Sequence, residues 1–178
     1  MTYCFIIVLT IYLTSRTDLM HENLTGVMAI EKYHNISILF IIFCACFFAY
    51  KTHAIYKKTF VHNRIYNIVI ILTAVIMIVG ALSPYTLNSR DFFSLLHVYC
   101  SMLSCLSFLC LLWIYTRKLL LLDITLYQSL HWFYDLSLQF LAILTLLFAK
   151  VNSYIEILFA FLVCTYLFMI EKRIRQKN

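Results

Sequence analysis

Two glycines (Gly26, Gly80) and one proline (Pro84) are all that 178 residues contain of the residues that usually punctuate a folded chain. Phosphate-cradling loops of the GxGxxG or GxxxxGKS/T kind need several glycines, so nucleotide sites of that design are excluded. The GxxxG pairing motif of membrane helices is excluded on the same count. Charge is scarce as well. Charged residues make up 12% of the chain, against about a quarter in a soluble domain. The seven cysteines (Cys4, Cys44, Cys46, Cys100, Cys105, Cys110 and Cys164) include no CxxC pair, so no zinc site or disulfide framework is readable. All seven lie in apolar segments, where Cys behaves as a small hydrophobe.

Apolar surface is what the chain has in excess. Hydrophobic types are 63% and the mean hydropathy is +0.89. A chain of this size cannot hide so much apolar surface in its own core. The bilayer is the expected solvent, and disorder is excluded because it requires low hydrophobicity. The net charge of +6 sits between apolar segments, where it orients a membrane protein and does not point to nucleic acid.

Five apolar segments are clear, at Ile36–Tyr50, Ile65–Leu82, Phe92–Tyr115, Leu126–Ala149 and Ile155–Ile170. Spanning a bilayer takes about 17–25 residues, fewer when flanking groups snorkel. Gly80 and Pro84 mark the end of one span, and Val151–Tyr154 reads as a tight turn between the last two. Tyr3–Leu13 reaches only about 16 Å as a helix. It lacks the basic start and the small-residue cleavage site of a signal peptide. It reads as a short first span. The fold class is all-α, a polytopic membrane helix bundle of six transmembrane helices, five if Tyr3–Leu13 does not span. Residues 1–178 form one integral-membrane domain, without internal repeats or low-complexity tracts.

Cations set the orientation. Lys51, Lys57, Lys58 and Arg64 lie in one loop, Arg117 and Lys118 in another, and Lys172, Arg173, Arg175 and Lys177 in the tail. Arg16, Lys32, Arg90 and Lys150 lie on the opposite side. Ten against four places the first group in the cytoplasm, or on the matrix side in an organelle. Both termini are cytoplasmic if the first segment spans. The basic stretch Lys51–Arg64, with His53 and His62, suits contact with anionic lipid headgroups. The longest connection, Ser15–Asn35, falls outside and carries two glycosylation patterns, at Asn23 and Asn35. Asn35 borders the headgroups, which leaves Asn23 as the usable one. Trp113 and Tyr115, Trp132 to Tyr134, Tyr85 and Tyr154 form interfacial aromatic belts.

Two polar rows lie inside the spans. Ser94, His97, Ser101 and Ser104 recur at spacings of 3, 4 and 3, a heptad seam on one helix face. His131, Asp135 and Gln139 recur every fourth residue on the next span. Polar groups in hydrocarbon are costly, so both rows are expected to turn inward. Asp135 lies roughly 14 Å inside its span. It is either helix glue, bonded to His131 and Ser104, or a proton, ion or substrate group. His97 and His131 differ in depth by roughly 15 Å, too far apart for one haem. Cys100 or Cys105 beside His97 has no catalytic signature around it. No catalytic residue, metal ligand or cofactor is expected. The seven polar residues stand as the candidate seam. Ala45 and Ala49, four residues apart, make a face suited to close helix contact.

The stretch Gly80-Ala81-Leu82-Ser83-Pro84, a short outer loop, then Asp91 and His97 early in the next helix resembles the damage-regulated autophagy modulator (DRAM) family. The related GPI-anchor maturation proteins and small bacterial relatives share that pattern. The similarity covers mainly Ile36–Thr116. It implies six spans, a longer first outer loop and a histidine near the start of the fourth span, with Pro84 and His97 in the matching places. It also implies a lipid-linked or trafficking role without established catalysis. Two other readings compete. One is a structural subunit of a larger membrane complex, such as a respiratory assembly; richness in Ile, Phe, Tyr and Asn hints at an AT-rich, organellar genome. The other is a small transport component using the Asp135 and Ser104 seam. The partners expected are membrane lipids and, on the subunit reading, other membrane subunits; nucleic acid is not among them.

Overall fold

The computed structural model describes residues 1–59, 63–85 and 91–177. His62, Arg90 and the side chain of Lys177 lie outside the described residues. Among these residues the chain forms seven helices and no strand: α1 (Thr2–Thr14), α2 (Leu24–Met28), α3 (Glu31–Lys58), α4 (Arg64–Leu82), α5 (Phe92–Leu122), α6 (Ile124–Phe148) and α7 (Ser153–Lys177). Helices α3 to α7 are each long and apolar enough to cross a membrane. The chain is an all-α, multi-pass membrane helix bundle. Helix α1 has 13 residues and extends about 20 Å, two-thirds of a bilayer core.

The helices outrun the apolar segments that announce them. Helix α3 has 28 residues and α5 has 31, about 42 and 46 Å long. Lys51, Lys57 and Lys58 therefore sit on α3, and Arg117 and Lys118 on α5, where loops were expected. The tail cations Lys172, Arg173 and Arg175 likewise lie on α7. Lys and Arg are good helix formers. Lys57 and Lys58, in the last turn of α3, also meet the negative end of the macrodipole. Nothing at the membrane surface obliges these helices to stop. A single residue, Asp123, separates α5 from α6. Its Oδ1 accepts from the Leu126 N–H at 3.0 Å and the Thr125 hydroxyl at 2.8 Å, which starts α6 at once.

The chain divides into two compact units. One is Ile38–Tyr127, holding most of α3, all of α4 and α5, and the start of α6. Within it α4 and α5 pack along each other. Tyr56 on α3 stacks on Tyr115 of α5 at 5.1 Å between centroids, and its hydroxyl donates to the Leu111 carbonyl. Phe48 meets Phe108 at 5.4 Å. His53 Nδ1 lies 2.9 Å from Asn67 Oδ1, tying α3 to α4.

The other unit is Met1–Ser37 with Gln128–Asn178. Here α1 packs on α7, with Tyr3 edge-on to Phe168. Tyr134 of α6 rests on Tyr166 of α7 at 5.1 Å. The long connection expected over Ser15–Asn35 is shortened by α2 and by the early start of α3. The turn between α6 and α7 covers 149–152, since Ser153 already begins α7. Ala149 closes α6 at φ 52°, a left-handed conformation that disfavours a side chain. Glycine is the usual residue there. Ala149→Gly is expected to stabilise the protein by about 0.5–1 kcal/mol, seen as a higher thermal midpoint in detergent.

Four threonines inside the helices are engaged locally. Thr10, Thr14, Thr116 and Thr145 each donate to the carbonyl four residues back, at 2.7–2.8 Å. A hydroxyl bonded to its own helix no longer needs water or a partner helix.

Candidate functional site

The serine and histidine row on α5 resolves into three kinds of bond. Asp91 caps the helix: one carboxylate oxygen accepts from the Phe93 and Ser94 N–H groups, each at 3.2 Å. Its other oxygen accepts from the Ser94 hydroxyl at 2.7 Å. Ser104 donates to the Ser101 carbonyl of its own helix at 2.9 Å. Ser94, His97 and Ser104 are buried and Ser101 is half-buried, so the row does turn away from lipid.

His97 is the center of this group. Its Nδ1 donates to the Gly80 carbonyl at 2.7 Å, in the last turn of α4. The Ser83 backbone lies within reach of the same ring, and the Tyr85 ring sits 5.3 Å away. The histidine thus closes the C-terminus of α4 from the side of α5. Gly80 makes this possible. A Cβ placed there would lie 3.1 Å from Cys100 Cβ and 3.2 Å from Ser101 Oγ. The helices approach more closely here than an ordinary side chain permits. With its Nδ1 proton held by Gly80, His97 acts as a latch between helices.

The α6 row divides along its length. His131 and Asp135 are half-buried, and Gln139 is exposed. The reason is geometric. Each step of four residues advances about 40° around a helix, so Gln139 lies about 80° from His131. A spacing of four holds a face for two turns and drifts off it by the third. Among the described residues, no three His, Cys, Asp or Glu side chains stand close enough to hold a metal ion.

A further polar constellation, which spacing alone does not reveal, joins the segment before α2 to the start of α7. The Ser153 N–H and hydroxyl both donate to the Glu22 carbonyl, at 2.8 and 2.9 Å. Asn152 Nδ2 reaches the Met20 carbonyl at 3.4 Å, and Lys150 Nζ the His21 carbonyl at 3.3 Å. Glu156 reaches back from α7, and its carboxylate accepts the Leu24 N–H at 2.6 Å. Asn23 caps α2 through Gly26 N–H and donates to the Val151 carbonyl at 3.4 Å. The amide expected to carry a glycan is thus engaged on both of its atoms. Nearby, His21 Nδ1 donates to Asp18 at 2.8 Å. That bond, with the Met20 N–H, holds the Asp18 carboxyl below the usual carboxylate range. These contacts fall up to 132 residues apart in sequence and involve mostly backbone carbonyls, which carry no residue signature.

Set against family models, curated proteins and solved structures, the chain matches none of them.

Proposed function

We propose that this chain is a multi-pass membrane protein without a catalytic site, with a lipid-linked or trafficking role like that of the DRAM family it resembles. The observation that carries this reading is the engagement of the intramembrane His97 in structure. It latches α4 to α5 through the Gly80 carbonyl at 2.7 Å. Gly80 and His97 are also residues on which the resemblance rests. The cation-bearing C-terminal ends of α3, α5 and α7 face the cytoplasm on this reading, because positive charge stays inside. Their charges meet anionic headgroups there.

A second reading, a structural subunit of a larger membrane assembly, is favoured by the exposed Gln139 on α6. An amide turned outward in hydrocarbon calls for a partner beyond its own chain. The transport reading gains little from the serine row, since Ser94 and Ser104 donate to Asp91 and Ser101.

Native mass spectrometry after gentle detergent extraction from the source membrane tests the choice. The expected result is the 21.1 kDa chain or a multiple of it, with lipid retained. Recovery in fixed ratio with other proteins overturns the free-standing reading and makes the chain a subunit.

A further inference from the structure

Two cations of the sparsely charged side stand against one aromatic ring. Arg16 follows the end of α1, where its N–H donates to the Leu13 carbonyl at 3.0 Å. Its guanidinium carbon lies 4.2 Å from the centroid of the Tyr12 ring and 5.9 Å from that of Tyr33. Lys32 Nζ lies 5.5 Å from the same Tyr33 ring. Tyr33 belongs to the first turn of α3. The cluster therefore joins the end of α1 to the start of α3, within one compact unit.

Neither charge is neutralised by a neighbour. Among the described residues Arg16 and Lys32 make no ion pair. Asp18, the acid nearest to Arg16 in sequence, is taken by His21 at 2.8 Å. Glu31, next to Lys32, points about 100° away around α3. The depth of the cluster is fixed from both helices. Leu13, the last apolar residue of α1, lies three residues before Arg16, and Ile36 opens the apolar run of α3 three residues after Tyr33. Three residues of helix cover about 4.5 Å. The cluster thus sits just beyond the hydrocarbon, where tyrosine is enriched and lipid phosphates lie.

We propose that Arg16 and Lys32 hold the phosphate of an acidic phospholipid, in the leaflet opposite the cation-rich helix ends. Arg16 supplies the fixed element. Seated on Tyr12, its planar fork keeps N–H groups for two oxygens of one phosphate. Lys32 supplies the mobile element. Its four-carbon stem lets the ammonium swing from Tyr33 to the same headgroup. Two cations against one phosphodiester leave a surplus of positive charge. A zwitterionic headgroup adds its own cation to that surplus, and an acidic one does not. The site therefore selects by net headgroup charge. A soluble phosphate offers the same oxygens, and the test separates the two sources. The inference deepens the lipid-linked reading above and rests on α3 spanning the membrane.

Fluorescence quenching reads the site in the full-length chain. Tyr33→Trp keeps an aromatic face beside both cations, and Trp113→Phe with Trp132→Phe leaves the introduced indole as the sole reporter. The chain is placed in mixed vesicles of phosphatidylglycerol and phosphatidylcholine, with bromine on the acyl chains of one lipid or the other. Quenching is expected to show about a 10–30-fold preference for phosphatidylglycerol, the factor for two basic residues near the headgroups. Arg16→Gln with Lys32→Gln should bring the two lipids level. Arg16→Lys keeps the charge without the planar fork and should retain part of the preference. Equal quenching by both lipids with Arg16 and Lys32 in place overturns the proposal, as does a preference that survives the loss of both cations. A preference abolished by inorganic phosphate at constant ionic strength overturns the lipid and assigns the cations to a soluble anion. Absence of quenching by either lipid would instead overturn the membrane-spanning reading itself. The two failures are therefore distinguishable.

Discussion

Gly80→Leu is expected to destabilise the protein by about 3 kcal/mol, the largest effect of any single substitution proposed here. A β-carbon alone at this position would meet Cys100 Cβ at 3.1 Å and the Ser101 backbone nitrogen at 3.3 Å. The remaining carbons of leucine have no space on the α5 side. Overpacking of a close contact costs about 1–3 kcal/mol. The displaced helix end also loses the His97 bond to the Gly80 carbonyl, worth about 1 kcal/mol. Gly80→Ala needs a shift of only a few tenths of an ångström. It also recovers up to about 1 kcal/mol of helix propensity, so its net effect should be small. Reversible unfolding in mixed micelles, followed by the signal of Trp113 on α5, measures both variants. His97→Leu should cost about 1–3 kcal/mol alone. In the double variant with Gly80→Leu the two costs should fall short of adding, because both act on one contact. Full additivity would mean that His97 and Gly80 stabilise the protein independently.

The same contact marks how far the sequence can be read. The spans are legible because hydrocarbon demands apolar side chains over a fixed length. Gly80 and Pro84 end α4 near where they should, at Leu82. The inward turn of Ser94, His97 and Ser104 is legible from their heptad spacing. The partner of His97 is not. It is a backbone carbonyl, and every residue has one. Helix ends are poorly legible for a different reason. Hydropathy reports where lipid stops, whereas Lys57 and Arg117 continue their helices beyond the apolar run with favourable propensity. Gln139 shows the limit of periodicity itself: a row of every fourth residue groups it with His131 and Asp135, yet it is exposed where they are half-buried.

Glu156→Ala should release the segment before α2 while leaving the spanning helices folded. The carboxylate accepts the Leu24 N–H at 2.6 Å, one of the donors that the first turn of α2 cannot satisfy internally. Leaving that N–H without its acceptor costs about 1–3 kcal/mol. A helix of five residues has almost no stability of its own, so α2 depends on this bond, on the Asn23 cap and on the docking of Glu22 against Ser153. Local opening of that segment should become about 10–100-fold more frequent in the variant. Limited proteolysis of the purified protein by a glutamyl endopeptidase reports it, through cleavage after Glu22 and Glu31. Cleavage should accelerate by that factor when reclosing is faster than cutting. Glu156→Gln keeps an acceptor oxygen and should fall between the two. Ser153→Ala removes one of the two donors to the Glu22 carbonyl and keeps the other, so a few-fold acceleration is expected. Equal cleavage in Glu156→Ala and the wild type would mean that α2 is held without the α7 carboxylate. The global unfolding midpoint should move little in any of these variants, because the five-residue α2 makes only a small contact with α1 beside the long packing of α1 on α7.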